Sequence, residues 1–155
     1  MTIHVLFVCL GNICRSPMAE AVFQQLVNEA GLSDTISVDS AGTGSWHVGE
    51  SAHSGTRRVL SQHDIPYHGR ARQVSGADIK RPHSYIVTMD EENSEELMVR
   101  YGRLPNLSRL LDYATETREK NVPDPYYTGN FEYVYQLVTD GCQGLLATIR
   151  AEHGL

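Results

Sequence analysis

Apolar residues along this chain fall into two alternating kinds of run. Short, almost wholly apolar stretches rich in Val, Ile and Phe are typical of strands covered on both faces of a sheet. Longer stretches with an apolar residue every three or four positions are typical of helices that bury one face. The short runs predict strands at residues 3–9, 35–40, 84–88 and 106–111.

The longer runs lie between and after these strands. They predict helices at residues 18–30, 51–63 and 91–101, and a short helical turn at residues 76–80. A long C-terminal helix is predicted from a stripe formed by Phe131, Val134, Tyr135, Val138, Cys142, Leu145, Leu146 and Ile149. Because strands and helices alternate, we predict an α/β fold of one domain over residues 1–155. Its sheet is open, parallel and four-stranded, with helices on both faces, as in flavodoxin-like folds.

The segment after the first predicted strand carries the candidate chemistry. The strand ends at Cys9, and Ser16 and Pro17 open the next helix, with Pro17 suited to its first position. Ligands of such sheets bind at the carboxyl ends of the strands. Gly11 and Asn12 readily adopt positive φ, which a loop with inward-facing amides requires.

Arg15 adds a planar fork of donors to this loop, at the positive end of a helix dipole. These groups favour a thiolate at Cys9 and a bound oxyanion. A cysteine at a strand end is usually a packing residue, but the Gly-Asn and Ser-Pro pairs favour the functional interpretation. The hydroxyl of Ser16 is expected either to donate to the thiolate or to cap the helix.

Composition limits the other function classes. The 155 residues carry a net charge of −6 and are 41% hydrophobic, as in an ordinary globular protein rather than a nucleic-acid-binding one. No apolar run reaches the length of a membrane span, and the N-terminus lacks a signal-peptide pattern, so we expect a cytoplasmic protein that binds no membrane. Three cysteines without a Cys-x-x-Cys pair, and seven scattered histidines, predict neither a disulfide framework nor a metal site or cofactor. A lone histidine is expected to be a surface or loop residue.

The loop resembles the signature sequence of the low-molecular-weight protein tyrosine phosphatases. The similar segment reads Val-Cys-Leu-Gly-Asn-Ile-Cys-Arg-Ser-Pro over residues 8–17. The resemblance extends along the chain to Ser40-Ala41-Gly42-Thr43, Trp46-His47-Val48-Gly49, Arg70-Ala71-Arg72-Gln73, Met89-Asp90-Glu91-Glu92-Asn93 and Asp124-Pro125-Tyr126-Tyr127. It implies a monomeric, metal-independent phosphatase that acts on phosphotyrosine-containing proteins.

The resemblance and the residue chemistry together assign roles. Cys9 is expected to attack phosphorus, and Asp124 to donate a proton and later accept one. Phosphate is expected to bind Leu10, Gly11, Asn12, Ile13, Cys14 and Arg15, with Ser16 and Ser40 as supporting residues. Asp124 lies between two prolines that fix its backbone, although an Asp-Pro pair is more often a turn initiator. Asp90 follows a predicted strand and is expected to orient the loop or to cap the next helix.

Three aromatic residues are candidates for the walls of the substrate cleft. From its residue type alone, Trp46 is expected to be a partly buried packing residue. The resemblance places it at the cleft rim instead, and Tyr126 and Tyr127 are expected to form walls of the same cleft. A phosphotyrosine ring is long enough to reach a thiolate at the bottom of such a cleft, whereas a phosphoserine is too short.

Two positions leave alternatives open. Cys14 is either a small buried residue or the partner of Cys9 in a reversible disulfide after mild oxidation. Family members often have a histidine directly before the Arg/Lys-Ala-Arg-Gln segment, where it braces the phosphate loop. Gly69 stands there in this chain, with His68 one place earlier, so we assign no site role to either residue.

Other thiol chemistries fit the sequence less well. An arsenate reductase needs two further cysteines in a mobile segment, and residues 75–100 contain none. A phosphocysteine carrier does not need Asp124. A catalytically silent phosphotyrosine-binding module does not need both Cys9 and Asp124.

Overall fold

The centre of the fold is a sheet of four parallel strands in the order β2-β1-β3-β4. In this computed structural model, which describes residues 1–155, the strands are Ile3–Cys9 (β1), Ile36–Gly42 (β2), Ser84–Thr88 (β3) and Leu107–Arg109 (β4). β1 pairs in parallel with both β2 and β3. The predicted four-stranded parallel α/β fold is therefore confirmed, and Cys9 ends a central strand.

Helices cover both faces of the sheet, as predicted. They are Arg15–Glu29 (α1), Ser54–Gln62 (α2), Gly76–Lys80 (α3), Glu91–Tyr101 (α4), Pro125–Thr128 (α5) and Phe131–His153 (α6). Val5 and Phe7 of β1 point into a large core that α1, α2 and α6 share. Leu6 and Val8 point the opposite way, into a smaller core with Leu97 of α4. The near-continuous apolar sequence of β1 follows from burial on both faces.

The start of α1 differs from the prediction. The helix begins at Arg15 and not at residue 18, so Pro17 is its third residue rather than its first. Proline is tolerated there because the N–H groups of the first helical turn have no partner within the helix. The consequence is that Arg15 belongs to the helix, whose rigid backbone sets the direction of its side chain.

Three other boundaries differ from the prediction by two or three residues. β2 runs on to Gly42 because the backbone of Gly42 bonds to that of Arg72 and Val74. α2 starts only at Ser54, where the His53 side chain caps it by accepting from the Gly55 N–H. β4 ends at Arg109, and the apolar residues beyond it form a single 3₁₀ turn, Leu110–Tyr113. An apolar run alone does not distinguish these local conformations.

The long C-terminal helix is confirmed. Its predicted stripe is buried except for Tyr135, which is partly buried, and Cys142 has no exposed surface. No helix is long and apolar enough to cross a bilayer.

Candidate active site

The loop between β1 and α1 has one residue in the left-handed region. Asn12 has φ 57°, whereas Gly11, which was expected to share this conformation, does not. Gly11 instead lies close to His47, since a Cβ there would be 3.0 Å from Cδ2 of His47 and the imidazole would have to shift by a few tenths of an ångström. The loop therefore combines one strained residue with one close approach.

The amides of this loop have no partners within the protein. None of the backbone N–H groups from Leu10 to Cys14 donates a hydrogen bond to another residue. All of these residues except Asn12 line one cleft in the protein surface, which has a volume of about 230 Å³. Unpaired amides of a curled loop at a helix N-terminus are the usual donors of an anion site.

Cys9 lines the cleft and lies beside Ser16. The sulfur of Cys9 is 3.0 Å from Oγ of Ser16, and both residues are buried. The other predicted role of Ser16 is wrong, because α1 has no side-chain cap. Ser16 therefore contacts the sulfur and not the end of the helix.

Arg15 is buried and fixed from one side. Its Nη1 donates to Oδ2 of Asp90 at 2.5 Å and to the Val122 carbonyl at 2.9 Å. Burial alone would lower the pKa of Arg15, but the charges of Cys9, Asp90 and Asp124 raise it overall. The guanidinium thus stays charged although only 3% of its side chain is exposed.

Asp124 lies on the other side of the same guanidinium. Its Oδ2 is 3.5 Å from Nη2 of Arg15, and its Oδ1 accepts from the N–H of Tyr126. Asp124 is thus also the N-cap of α5, a four-residue helix that the sequence did not predict, although an Asp-Pro turn was one interpretation of this segment. Cys9, Arg15 and Asp124 all line the cleft, although 115 positions separate the first from the last.

Aromatic side chains form the walls of the cleft. Trp46 is 71% exposed, Tyr126 53% and Tyr127 77%. The expectation that Trp46 is partly buried packing is wrong, because its ring folds back over Gly44 on the surface, where no Cβ would fit. Exposed aromatic rings around a few polar groups, here Arg15, Asp124 and the loop amides, are typical of a ligand site.

The sequence analysis missed His47. It lines the cleft between Gly11 and Tyr126, and its Nδ1 is 3.0 Å from a carboxylate oxygen of Glu50. The position of His47 directly after Trp46 was the only available signal.

Asp90, by contrast, performs both predicted roles, because its Oδ1 caps α4 while its Oδ2 binds Arg15.

The remaining cysteines differ in their surroundings. Cys14 lies in the loop, and burial raises its pKa to about 12. Cys142 is fully buried in α6, and burial raises its pKa as well. Both thiols therefore stay protonated near neutral pH. No cluster of three or more His, Cys, Asp or Glu side chains is arranged to hold a metal ion.

Comparison with known proteins gives the family. The family model "Low molecular weight phosphotyrosine protein phosphatase" matches residues 4–154. The chain belongs to the low molecular weight protein-tyrosine-phosphatase family. It is 50% identical over 156 residues to the low molecular weight protein-tyrosine-phosphatase YfkJ of Bacillus subtilis, with 99% of each chain covered. It is 44% identical to PtpA of Staphylococcus epidermidis over 93% of this chain and 92% of the relative.

Solved structures agree with this assignment. The crystal structure of YfkJ superposes on this phosphatase with a TM-score of 0.95 at 49% identity, covering 99% of this chain and 98% of that one. A protein named Drosophila arginine phosphatase has the same fold, with a TM-score of 0.83 at 32% identity over 94% and 97% of the two chains. The predicted family and enzyme class, a protein-tyrosine phosphatase, are therefore confirmed.

Proposed function

We propose that residues 1–155 form one phosphatase domain that hydrolyses phosphotyrosine through a phosphocysteine intermediate. A single observation carries this proposal: Cys9, Arg15 and Asp124 line one cleft whose loop offers unpaired amides. A nucleophile, an oxyanion cradle and a proton donor are the groups that this reaction requires.

In the first step, the Cys9 thiolate attacks phosphorus in line with the departing tyrosyl oxygen. The S–P bond forms as the P–O bond breaks, and Asp124 gives its proton to the leaving phenolate. In the second step, the ionised Asp124 takes a proton from water, whose oxygen attacks phosphorus. Inorganic phosphate leaves, and the thiolate and the protonated Asp124 are restored.

The anchoring of Arg15 suits it to hold the transferring phosphoryl group. Both hydrogen bonds that its guanidinium makes to the protein come from Nη1. Nε makes no hydrogen bond to the protein, and Nη2 has only the ion pair with Asp124 at 3.5 Å. When Asp124 is protonated, as its acid role requires, both donors can bind two phosphate oxygens in the bidentate geometry that arginine provides. We assign the remaining phosphate contacts to the amides from Leu10 to Arg15.

The aromatic walls support an aryl substrate. Trp46, Tyr126 and Tyr127 can stack on a phenyl ring while its phosphate reaches Cys9. A phosphoserine side chain lacks both the length and the ring. We therefore assign phosphotyrosyl proteins as substrates and expect small aryl phosphates to be hydrolysed as well.

The test uses p-nitrophenyl phosphate with wild type and Cys9→Ser. The variant is expected to lose turnover while its circular dichroism spectrum stays unchanged, because a serine hydroxyl is not ionised near neutral pH. Retained turnover would refute the proposal. Phosphotyrosine, phosphoserine and phosphoarginine peptides of one sequence then test specificity. Turnover of phosphoarginine above phosphotyrosine would assign this chain to the chemistry that the Drosophila protein's name states.

A further inference from the structure

A chain of hydrogen bonds leads from the catalytic loop to two residues outside the cleft. The amide Nδ2 of Asn12 donates to Oγ of Ser16 at 2.8 Å and to Oγ of Ser40 at 3.0 Å. Oγ of Ser40 donates to Oε1 of Glu20 at 2.5 Å, and the Tyr67 hydroxyl donates to the same oxygen at 2.9 Å. Neither Glu20 nor Tyr67 lines the catalytic cleft.

The donors and acceptors in this chain have a fixed direction. Oδ1 of Asn12 accepts from the backbone N–H of Arg72 at 2.9 Å, so the amide NH₂ faces the two serines. Asn12 therefore donates both of its amide hydrogens, and both serine oxygens accept. The hydrogen of Ser40 goes to Glu20, whose carboxylate only accepts.

The same direction determines what Ser16 does. Because Ser16 accepts from Asn12, its own hydrogen is free to point at the sulfur of Cys9, 3.0 Å away. A hydroxyl that donates to the sulfur stabilises the thiolate, whereas one that accepted from a thiol would not. The orientation of the Ser16 hydroxyl thus depends on the amide of Asn12.

The backbone conformation of Asn12 depends on the hydrogen bonds of its side chain. Asn12 is the one residue of the loop with positive φ, a conformation that costs a residue other than glycine free energy unless its surroundings hold it. Its side chain is 98% buried, with hydrogen bonds from three directions. Tyr67 reaches this network because residue 69 is a glycine, where a Cβ would collide with the Tyr67 hydroxyl.

We propose that Glu20 and Tyr67 are positioning residues that act through Ser40 and Asn12 to hold the loop and to aim the Ser16 hydroxyl at Cys9. Burial raises the pKa of Glu20, and the hydrogen bonds from Ser40 and Tyr67 oppose that effect. The Tyr67 hydroxyl therefore helps Glu20 to remain the acceptor at the end of the chain. The proposal rests on the assignment of Cys9 as the nucleophile.

The test compares Tyr67→Phe with a matched control, Tyr85→Phe. Tyr85 also donates to a carboxylate, that of Glu152 at 2.5 Å, but it lies at the opposite end of the sheet. Tyr67→Phe is expected to lower kcat about 3- to 10-fold and to leave KM nearly unchanged. A loss of kcat in this range corresponds to the free energy of one hydrogen bond. The pH profile of Cys9 alkylation by iodoacetate is expected to move to higher pH. The control should change neither property.

A double variant separates positioning from general loosening of the structure. In a Ser16→Ala background, Tyr67→Phe is expected to change kcat less than about twofold, because its effect passes through the missing hydroxyl. Glu20→Met, which removes the acceptor that Ser40 and Tyr67 share, should resemble Tyr67→Phe, and it carries the same test if Tyr67→Phe folds poorly. Additive losses of kcat in the double variant, or an unshifted alkylation profile in Tyr67→Phe, would overturn the proposal. A wild type without turnover would instead contradict the assignment of Cys9.

Discussion

Arg15 and Asp90 lie 75 positions apart in the sequence, and Nη1 of the arginine is 2.5 Å from Oδ2 of the aspartate. The other oxygen of Asp90 accepts from the N–H of Asn93 and caps α4. One carboxylate therefore joins Arg15, which we propose binds phosphate, to the start of a helix on the other face of the sheet. This arrangement places the guanidinium before any substrate arrives, as electrostatic catalysis requires.

Asp90→Asn separates these two roles. The amide oxygen of asparagine still caps α4, but its NH₂ cannot accept from Arg15. We expect kcat/KM for p-nitrophenyl phosphate to fall about 10- to 100-fold, because a misplaced guanidinium fits the transition state poorly. The thermal midpoint should fall as well, because the buried guanidinium then faces an NH₂ group instead of a carboxylate. Unchanged kcat/KM would show that the Val122 carbonyl alone holds Arg15.

Asp124→Asn tests the proton donor. An asparagine cannot protonate the leaving oxygen, and this matters most when that oxygen is strongly basic. We expect kcat to fall about 100-fold or more for phenyl phosphate and much less for p-nitrophenyl phosphate, provided that phosphorylation of Cys9 is rate-limiting. The plot of log kcat against leaving-group pKa should therefore be steeper than for wild type. Parallel plots for the two proteins would contradict the role of Asp124 as the acid.

Trp46→Ala tests the aromatic wall. We expect KM for a phosphotyrosine peptide to rise about 3- to 10-fold, because stacking contributes on the order of 1 kcal/mol. KM for a small alkyl phosphate should not change. Val48→Ala is the matched control, since Val48 is 56% exposed but does not line the cleft. Equal effects of the two variants would exclude stacking on Trp46.

Cys14→Ser tests the predicted redox role. Peroxide is expected to convert the Cys9 thiolate to a sulfenic acid, which condenses with the Cys14 thiol to form a disulfide and water. Wild type should then regain activity with dithiothreitol. The variant should proceed to an irreversible sulfinic acid and lose recovery. Equal recovery in both proteins would leave Cys14 as a buried packing residue.

Asp78 makes stability depend on acid pH. Burial alone would raise its pKa, but hydrogen bonds from Arg72 and Ser75 lower it overall. The unfolded chain therefore binds a proton more readily, and the stability that Asp78 contributes is lost as pH falls below about 4. Asp78→Asn is expected to lower the free energy of unfolding by about 1–3 kcal/mol near pH 7.

Urea unfolding of wild type and Asp78→Asn at a series of pH values measures this difference. The difference should shrink toward zero in acid. Asp34→Asn, at an exposed position, should show no difference at any pH. A difference for Asp78→Asn that stays constant below pH 4 would contradict the assignment.

The sequence by itself determined the architecture and the family. Apolar runs and helical stripes are formed by residues close together in the sequence, and burial of one or two faces requires apolar residues at regular positions. For this reason the bounds of β1, α3, β3 and α4 were predicted correctly. The residues of the loop from Cys9 to Ser16 were also identified from the sequence because they are neighbours in it, although the start of α1 and the conformation of Gly11 were predicted wrongly.

Only the tertiary structure decided which distant groups meet. Asp90 and Asp124 approach Arg15 because three separate segments end at one edge of the sheet, and no local pattern records that convergence. Gly69 was an unexplained departure from the family pattern until the fold put the Tyr67 hydroxyl in the space beside it. Trp46 was misjudged for the same reason, since its exposure depends on what lies across the cleft and not on its residue type.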